Sequence, residues 1–180
     1  MYHASVPVIV VGNITVGGTG KTPLVIYLMQ LLQQRGFRPG IVMRGYKGTI
    51  RSAALVHPNS NPVLFGDEAV LLANSCNCPV MIAKNRSEGV HALIVHHKVN
   101  IILSDDGLQH YALGRDIEIA VIDGQRRFGN GHSLPMGPLR EMPARLNEVD
   151  LIIVNGTDMQ IIADYVYMLK NASVTMDLKT

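Results

Sequence analysis

VPVIVVGNITVGGTGKTPLVIYLMQLLQQR, residues 6–35, sets an apolar β-branched run, a glycine-rich turn and a helical apolar pattern in direct succession. Val6–Val11 is continuous in apolar residues, the pattern of a strand buried on both faces. Thr15-Val16-Gly17-Gly18-Thr19-Gly20-Lys21-Thr22 then reads as a phosphate-binding P-loop. Glycines without a Cβ let successive N–H groups converge on phosphate oxygens, and the following helix turns its positive end toward them. Lys21 is placed to reach β- and γ-phosphates and the Thr22 hydroxyl to sit on Mg²⁺. Thr15 stands where the general pattern has glycine, but the strand before and the helix after are those the motif requires. Leu24, Leu28, Leu31 and Leu32 form the apolar stripe of a helix over Lys21–Arg35, with Pro23 tolerated in its first turn and Gly36 as its stop.

Outward from this unit, strands are predicted at Gly40–Met43, Pro79–Ala83, Asn100–Ser104, Ile117–Asp123, Leu151–Asn155 and Ala172–Leu178, with a weak one near Ile50–His57. Helices are predicted from Gly66 to Asn74, over Ser87–Lys98 and over Met159–Leu169, the first with Asp67 able to act as N-cap. Pro58, Asn59, Asn61 and Pro62 mark a turn, and Gln125–Pro143 is a long glycine- and proline-rich loop of the kind that carries function. Strands alternating with helices give an α/β fold, P-loop NTPase-like, with a mostly parallel sheet and helices on both faces, in one unit over residues 1–180.

Composition agrees with a packed domain: 47% of the 180 residues are hydrophobic and 17% charged. A net charge of +2 gives no electrostatic case for nucleic acid. Cys76 and Cys78 are badly spaced for a structural disulfide and too few for zinc, and no functional role is expected for them. The N-terminus lacks the basic segment of a signal peptide, and no apolar run approaches the roughly 20 residues that span a bilayer, so a soluble cytoplasmic domain is expected.

Ligands of doubly wound sheets bind at the carboxyl ends of strands. Four groups fall there: the P-loop, Arg44-Gly45-Tyr46, Asp105-Asp106 and Asp123. Ile101–Asp106 fits a Walker B strand whose acid holds Mg²⁺ directly or through water, rather than two acids that only solvate a turn. His110 shares that loop and is taken as a site residue, whereas His91, His96 and His97 lie on a helix without acidic or cysteine partners and are read as solvated or core histidines.

These residues together resemble the tetraacyldisaccharide 4′-kinases, the lipid A kinases of Gram-negative bacteria. The matching blocks are residues 6–23, RGYKG (44–48), GDEA (66–69), LSDDGLQHYALGRDIEI (103–119), FGNGHSLPMGPLRE (128–141) and VDLIIVNG (149–156). Thr15 is also how that family's P-loop reads. The resemblance implies transfer of the ATP γ-phosphate to the 4′-hydroxyl of a tetraacyl disaccharide 1-phosphate, with Mg²⁺, at the cytoplasmic face of the inner membrane. It implies Asp67 as the carboxylate that orients or deprotonates the attacking hydroxyl, Asp105 and Asp106 as Walker B acids, and Gln109, His110, Arg140 and Glu141 as residues lining the same site. Thr22, Asp106 and Glu141 are the implied metal shell. Met43, Lys47 and Ala69 replace the usual serine, glycine and proline, without removing a group that has an assigned role. Family members also carry an N-terminal membrane helix and a C-terminal lobe with adenine contacts and a histidine paired to the GDE aspartate. The chain is therefore expected to be the amino-terminal catalytic lobe of a longer enzyme.

Other readings compete. A ParA/MinD-like ATPase switch shares the glycine-rich core, but its signature lysine falls at Val16. A GTP-binding switch is imitated by Asn155-Gly156-Thr157-Asp158, where Gly156 replaces the lysine of the guanine-reading element. The third alternative is a lobe that binds ATP without catalysis.

Overall fold

The structure is a computed structural model that describes residues 1–46, 48–50 and 52–156, and the backbone of 172–176. It contains β1 (Val8–Gly12), α1 (Lys21–Gln34), β2 (Pro39–Met43), β3 (Ala54–Val56), α2 (Pro62–Phe65), α3 (Asp67–Ser75), β4 (Val80–Ile82), α4 (Arg86–His97), β5 (Ile101–Asp105), β6 (Ile117–Asp123), a 3₁₀ turn (Pro143–Asn147), β7 (Leu151–Asn155) and β8 (Ala172–Met176). The strands form one eight-stranded sheet in the order β3-β4-β2-β5-β1-β6-β7-β8. All pairs are parallel except β3 on β4, which is antiparallel at the edge.

β1 lies between β5 and β6, with Val8 opposite Ile102 and Ile9 opposite Ile117. Side chains alternate across a strand, so its unbroken apolar run feeds two cores. Val8 and Val10 pack with Val90 and Leu93 of α4 on one face. Ile9 and Val11 pack with Leu24, Val25 and Met29 of α1 and Leu72 of α3 on the other. Burying a side chain of the size of Leu72 or Leu93 fully stabilises by roughly 1.5–3 kcal/mol, which is why helices on both faces are needed to hold a two-sided apolar sheet. The expected mostly parallel sheet with helices on both faces is therefore present.

Three local details differ from the sequence reading. The weak strand near Ile50–His57 shrinks to Ala54–Val56. The Pro58–Pro62 turn runs directly into α2, because Asn61 Oδ1 accepts the Val63 N–H at 2.9 Å and Pro62 starts the helix without an orphan donor. Asp67 is not the N-cap of α3. That position is Gly66, at φ 93° and ψ 142°, a conformation that suits glycine, and its side of the chain passes so near the Tyr46 carbonyl that a Cβ would lie 2.5 Å away. The helix predicted over Met159–Leu169 and residue Lys47 lie outside the described residues.

The 125–143 loop folds back over the phosphate loop. Val16 N–H donates to Pro138 O at 2.8 Å and Arg140 N–H to Ile14 O at 2.7 Å, while Phe128 and Leu139 are buried beneath.

Candidate active site

Gly20 enters α1 in a left-handed conformation (φ 89°), with no side-chain cap and no acid in the first helical turn. The opening N–H groups of a helix have no internal partner; left uncapped at the sheet's centre, they are open to an anionic ligand. Lys21 rises from this turn. Its Nζ donates to Asn13 Oδ1 at 3.0 Å and lies 3.3 Å from Asp106 Oδ1. Asn13, fully buried at the end of β1, also donates from Nδ2 to Thr15 O at 2.7 Å.

Asp105 and Asp106 have separate environments although they are adjacent. Asp105 ends β5 and is 2% exposed. Burial pushes its carboxyl up to about 6, against the pull of Lys21 and with help from neighbouring Asp106 and Glu68. Asp106 turns outward through a left-handed backbone (φ 49°), and its N–H donates to Asp105 Oδ1 at 2.9 Å. Its own carboxylate is met by Arg140 Nη1 at 3.0 and 2.9 Å. Burial opposes ionisation of Asp106, but Lys21 and Arg140 outweigh it and hold this carboxyl below its ordinary value.

Beneath the pair, Arg86 at the start of α4 is only 3% exposed and donates to the Asp105 and Asp106 carbonyls at 2.7 and 2.8 Å. Burial lowers the Arg86 guanidinium to about 10, which leaves it charged at neutral pH. Its Nη1 has no partner among the described residues, and neither has His110 Nε2. Burial first, then the nearby Arg86, Arg115 and Arg44, depress His110, favouring a neutral imidazole.

Gly107 is required here for space. A Cβ would fall 2.7 Å from Ser104 Oγ, 2.8 Å from Val10 Cγ1 and 3.1 Å from Arg86 Nη1. Gly107→Ala is expected to cost about 1–3 kcal/mol through overpacking, measured by chemical denaturation; a change below about 0.5 kcal/mol, typical of a surface site, would refute this.

Two open clefts meet at this centre. One, about 530 Å³, runs along Val16–Pro23. The second, about 520 Å³, is lined by Arg44, Lys84, Arg86, His110, Leu134 and others. Tyr46, Glu68, Asp106 and Arg140 line both.

The structure thus brings the P-loop, Asp105, Asp106, Gln109, His110 and Arg140 together. Asp67 is exposed on the first turn of α3 and lines neither cleft; its neighbour Glu68 does. Glu141 also lines neither. Its Oε1 accepts from Gln109 Nε2 at 2.6 Å and its Oε2 from the Tyr111 hydroxyl at 2.5 Å. Asp123 stands off both clefts, bound to Arg126 at 2.7 Å. His91, His96 and His97 are exposed, as expected of solvated residues.

The sequence reading missed Asn13, Glu68, Lys84, Arg86 and a buried ion cluster behind Glu141. In that cluster Glu118 Oε1 lies 2.6 Å from both Arg115 Nη1 and Arg145 Nη2, and Arg145 continues to Tyr111 at 3.2 Å. Lys84 and Arg86 follow β4 closely, so the rule that sites gather at strand carboxyl ends could have found them. The ion cluster left no such signal.

The model of the family described as Tetraacyldisaccharide-1-P 4′-kinase matches residues 1–180. The tetraacyldisaccharide 4′-kinase of Nitrosococcus oceani is 56% identical over 160 residues, covering 87% of this chain and 47% of the relative. That of Aeromonas hydrophila is 52% identical over 171 residues, covering 91% and 51%. The chain spans about half the length of the curated relatives it matches. Among solved structures, LpxK from Aquifex aeolicus in complex with ATP superposes with a TM-score of 0.83 at 28% identity, over 97% of this chain and 55% of that one. The hydrogenase maturation factor HypB of Archaeoglobus fulgidus, at a TM-score of 0.59 and 13% identity over 96% of this chain and 82% of that one, shares the fold alone. With the family model matching residues 1–180 and relatives more than half identical, this chain belongs to the tetraacyldisaccharide 4′-kinase family.

Proposed function

We propose that this chain carries the phosphoryl-transfer site of a kinase that moves the ATP γ-phosphate to the 4′-hydroxyl of a tetraacyl disaccharide 1-phosphate. The observation that carries the reading is the junction of two clefts at Asp106 and Arg140. A donor in the phosphate-loop cleft and an acceptor in the second would meet there, and phosphoryl transfer needs mainly in-line positioning and charge neutralisation. Thr15–Thr22 cradles the ATP phosphates. The acceptor oxygen forms its bond to the γ-phosphorus as the bond to the β–γ bridging oxygen breaks, ADP leaves, and the hydroxyl proton passes to Asp67. Lys21 and Arg140 oppose charge on the transferred group, and Arg86, Lys84 and neutral His110 offer donors to an anionic acceptor.

Thr22 and Asp106, both on the phosphate-loop cleft, supply hard oxygen donors of the kind Mg²⁺ takes. Asp105 supports Asp106 from behind. Glu141 Oε2 takes the Tyr111 hydroxyl and pairs with Arg145 Nε at 3.5 Å, whereas Oε1 accepts only from Gln109 and keeps an acceptor site, which fits an outer position in the same shell. When bound, Mg²⁺ would neutralise charge on the β- and γ-phosphate oxygens. Such an acylated acceptor would bring the chain to the cytoplasmic face of the inner membrane; no helix among the described residues is long and apolar enough to cross a membrane.

The test is incubation of the purified chain with γ-labelled ATP, Mg²⁺ and tetraacyl disaccharide 1-phosphate. Label on the lipid is the expected result. ATP binding without transfer would favour a second reading, a nucleotide-binding lobe, which the half-length match to the relatives supports. Lys21→Ala is expected to weaken ATP binding about 10- to 100-fold, the loss of a charged hydrogen bond of about 1.5–3 kcal/mol. Calorimetric titration reads this directly, and unchanged affinity would remove Lys21 from the phosphate site.

A further inference from the structure

Three side chains outside the phosphate cradle grip carbonyl oxygens of the loop itself. Asn13 Nδ2 holds Thr15 O, Arg126 Nη2 donates to the Gly18 carbonyl, and Asn155 Nδ2 donates to Thr19 O at 3.3 Å. In a planar trans peptide the C=O and the following N–H point in opposite directions. Pulling Gly18 O outward therefore aims the Thr19 N–H inward, and pulling Thr19 O outward does the same for the Gly20 N–H. Among the described residues neither amide has a protein acceptor. The Thr15 grip is different, because the Val16 N–H is already taken by Pro138 O.

Arg126 and Asn155 reach the loop from neighbouring strand ends. Asp123 and Asn155 are register partners at the ends of β6 and β7. Asp123 fixes the root of Arg126 three times: Oδ2 accepts Nε–H at 2.7 Å, and Oδ1 accepts the Gln125 and Arg126 N–H groups at 3.0 Å. Gly17, at φ 96°, leaves room for the guanidinium, since a Cβ there would sit 2.8 Å from Arg126 Nη1.

We propose that Arg126, seated on Asp123, and Asn155 form a clasp that sets the phosphate loop in its binding form before any nucleotide arrives. They are positioning residues, acting through the Thr19 and Gly20 amides. This rests on the reading of the Lys21 loop as a nucleotide-phosphate site. It also gives Asp123 and Asn155, singled out in the sequence for other reasons, a shared task.

The test compares the whole chain with its Arg126→Ala and Asn155→Ala variants in two measurements. One is binding of ATP and of inorganic tripolyphosphate, which carries no base. The other is amide hydrogen exchange over residues 14–24 without ligand. Each variant is expected to lose about tenfold in affinity for both ligands, because a smaller share of molecules holds the competent loop. Exchange in the free loop should quicken, and the difference from wild type should close at saturating ATP. Affinity within twofold of wild type, or reduced affinity with unchanged exchange, overturns the clasp; the latter would mean direct contact with phosphate. A wild-type chain that binds neither ligand would instead overturn the phosphate-site reading. Arg126 is largely exposed, and Arg126→Lys supplies the same comparison should the alanine variant fail to fold.

Discussion

Asp67→Ala is expected to lower phosphoryl transfer by about 10²- to 10⁴-fold, the usual worth of a positioned general base, with ATP affinity near that of the wild type. Asp67 is the aspartate of the family's GDE block, and its place in the fold is beside the clefts. Asp67 opens α3 where Gly66 packs closely on the Tyr46 carbonyl, so the helix start lies against a residue that lines both clefts. Glu68, the next residue, lines both clefts itself. Two carboxylates one residue apart could serve the same proton, and Glu68→Ala measured alongside separates them. Full transfer by Asp67→Ala, with loss in Glu68→Ala, would move the base to Glu68. Because neither residue touches the phosphate loop in the bonds described, a fall in ATP affinity equal to the fall in transfer would also count against the assignment.

The second large effect concerns stability. Glu118→Gln should destabilise the fold by about 3–5 kcal/mol near neutral pH, the cost of leaving buried charges without their partner. The side chains of Arg145, Glu118 and Arg115 are only 9%, 11% and 13% exposed, and one glutamate serves both guanidinium groups. Burial would raise the Glu118 carboxyl, but hydrogen bonds from Arg145 and Arg115 outweigh that and hold it below its ordinary 4.5. A folded value below the unfolded one means that its contribution is present above pH 4.5 and is lost as pH falls through the folded value. The gap between wild type and variant should therefore be widest above pH 4.5 and narrow in stronger acid. Denaturant titrations across that range measure it. A gap of less than about 1 kcal/mol, as for an exposed pair, or one indifferent to pH would refute the account.

The phosphate loop, the flanking strand and α1 were legible because their causes are local. Converging amides demand glycines at fixed spacing, and a strand buried on both faces demands an unbroken apolar run. Asp105 and Asp106 were legible as a pair at a strand end. Their division of labour was not, since it depends on how deep β5 lies and on Lys21 and Arg140 arriving from elsewhere. Asp67 as N-cap was a sound local expectation that failed for a tertiary reason: the close approach to Tyr46 admits only glycine at the cap, and this moved the aspartate one residue into the helix. The burial of Arg145 was not legible, because its two hydrogen-bond partners, Glu118 and Tyr111, come from other segments, while the nearby acids Glu141 and Glu148 stand farther off at 3.5 Å.

By itself, then, the sequence determined the α/β alternation and the glycine-rich turn, which arise from short-range backbone geometry and hydrophobic periodicity, and it carried the blocks by which the family is recognised. Only the tertiary structure decided which charges are buried together, that Glu68 rather than Asp67 lines both clefts, and that Arg126 and Asn155 reach the phosphate loop. Those outcomes depend on parallel strands bringing distant chain segments together at their carboxyl ends, where a few ångströms of register decide which side chains meet.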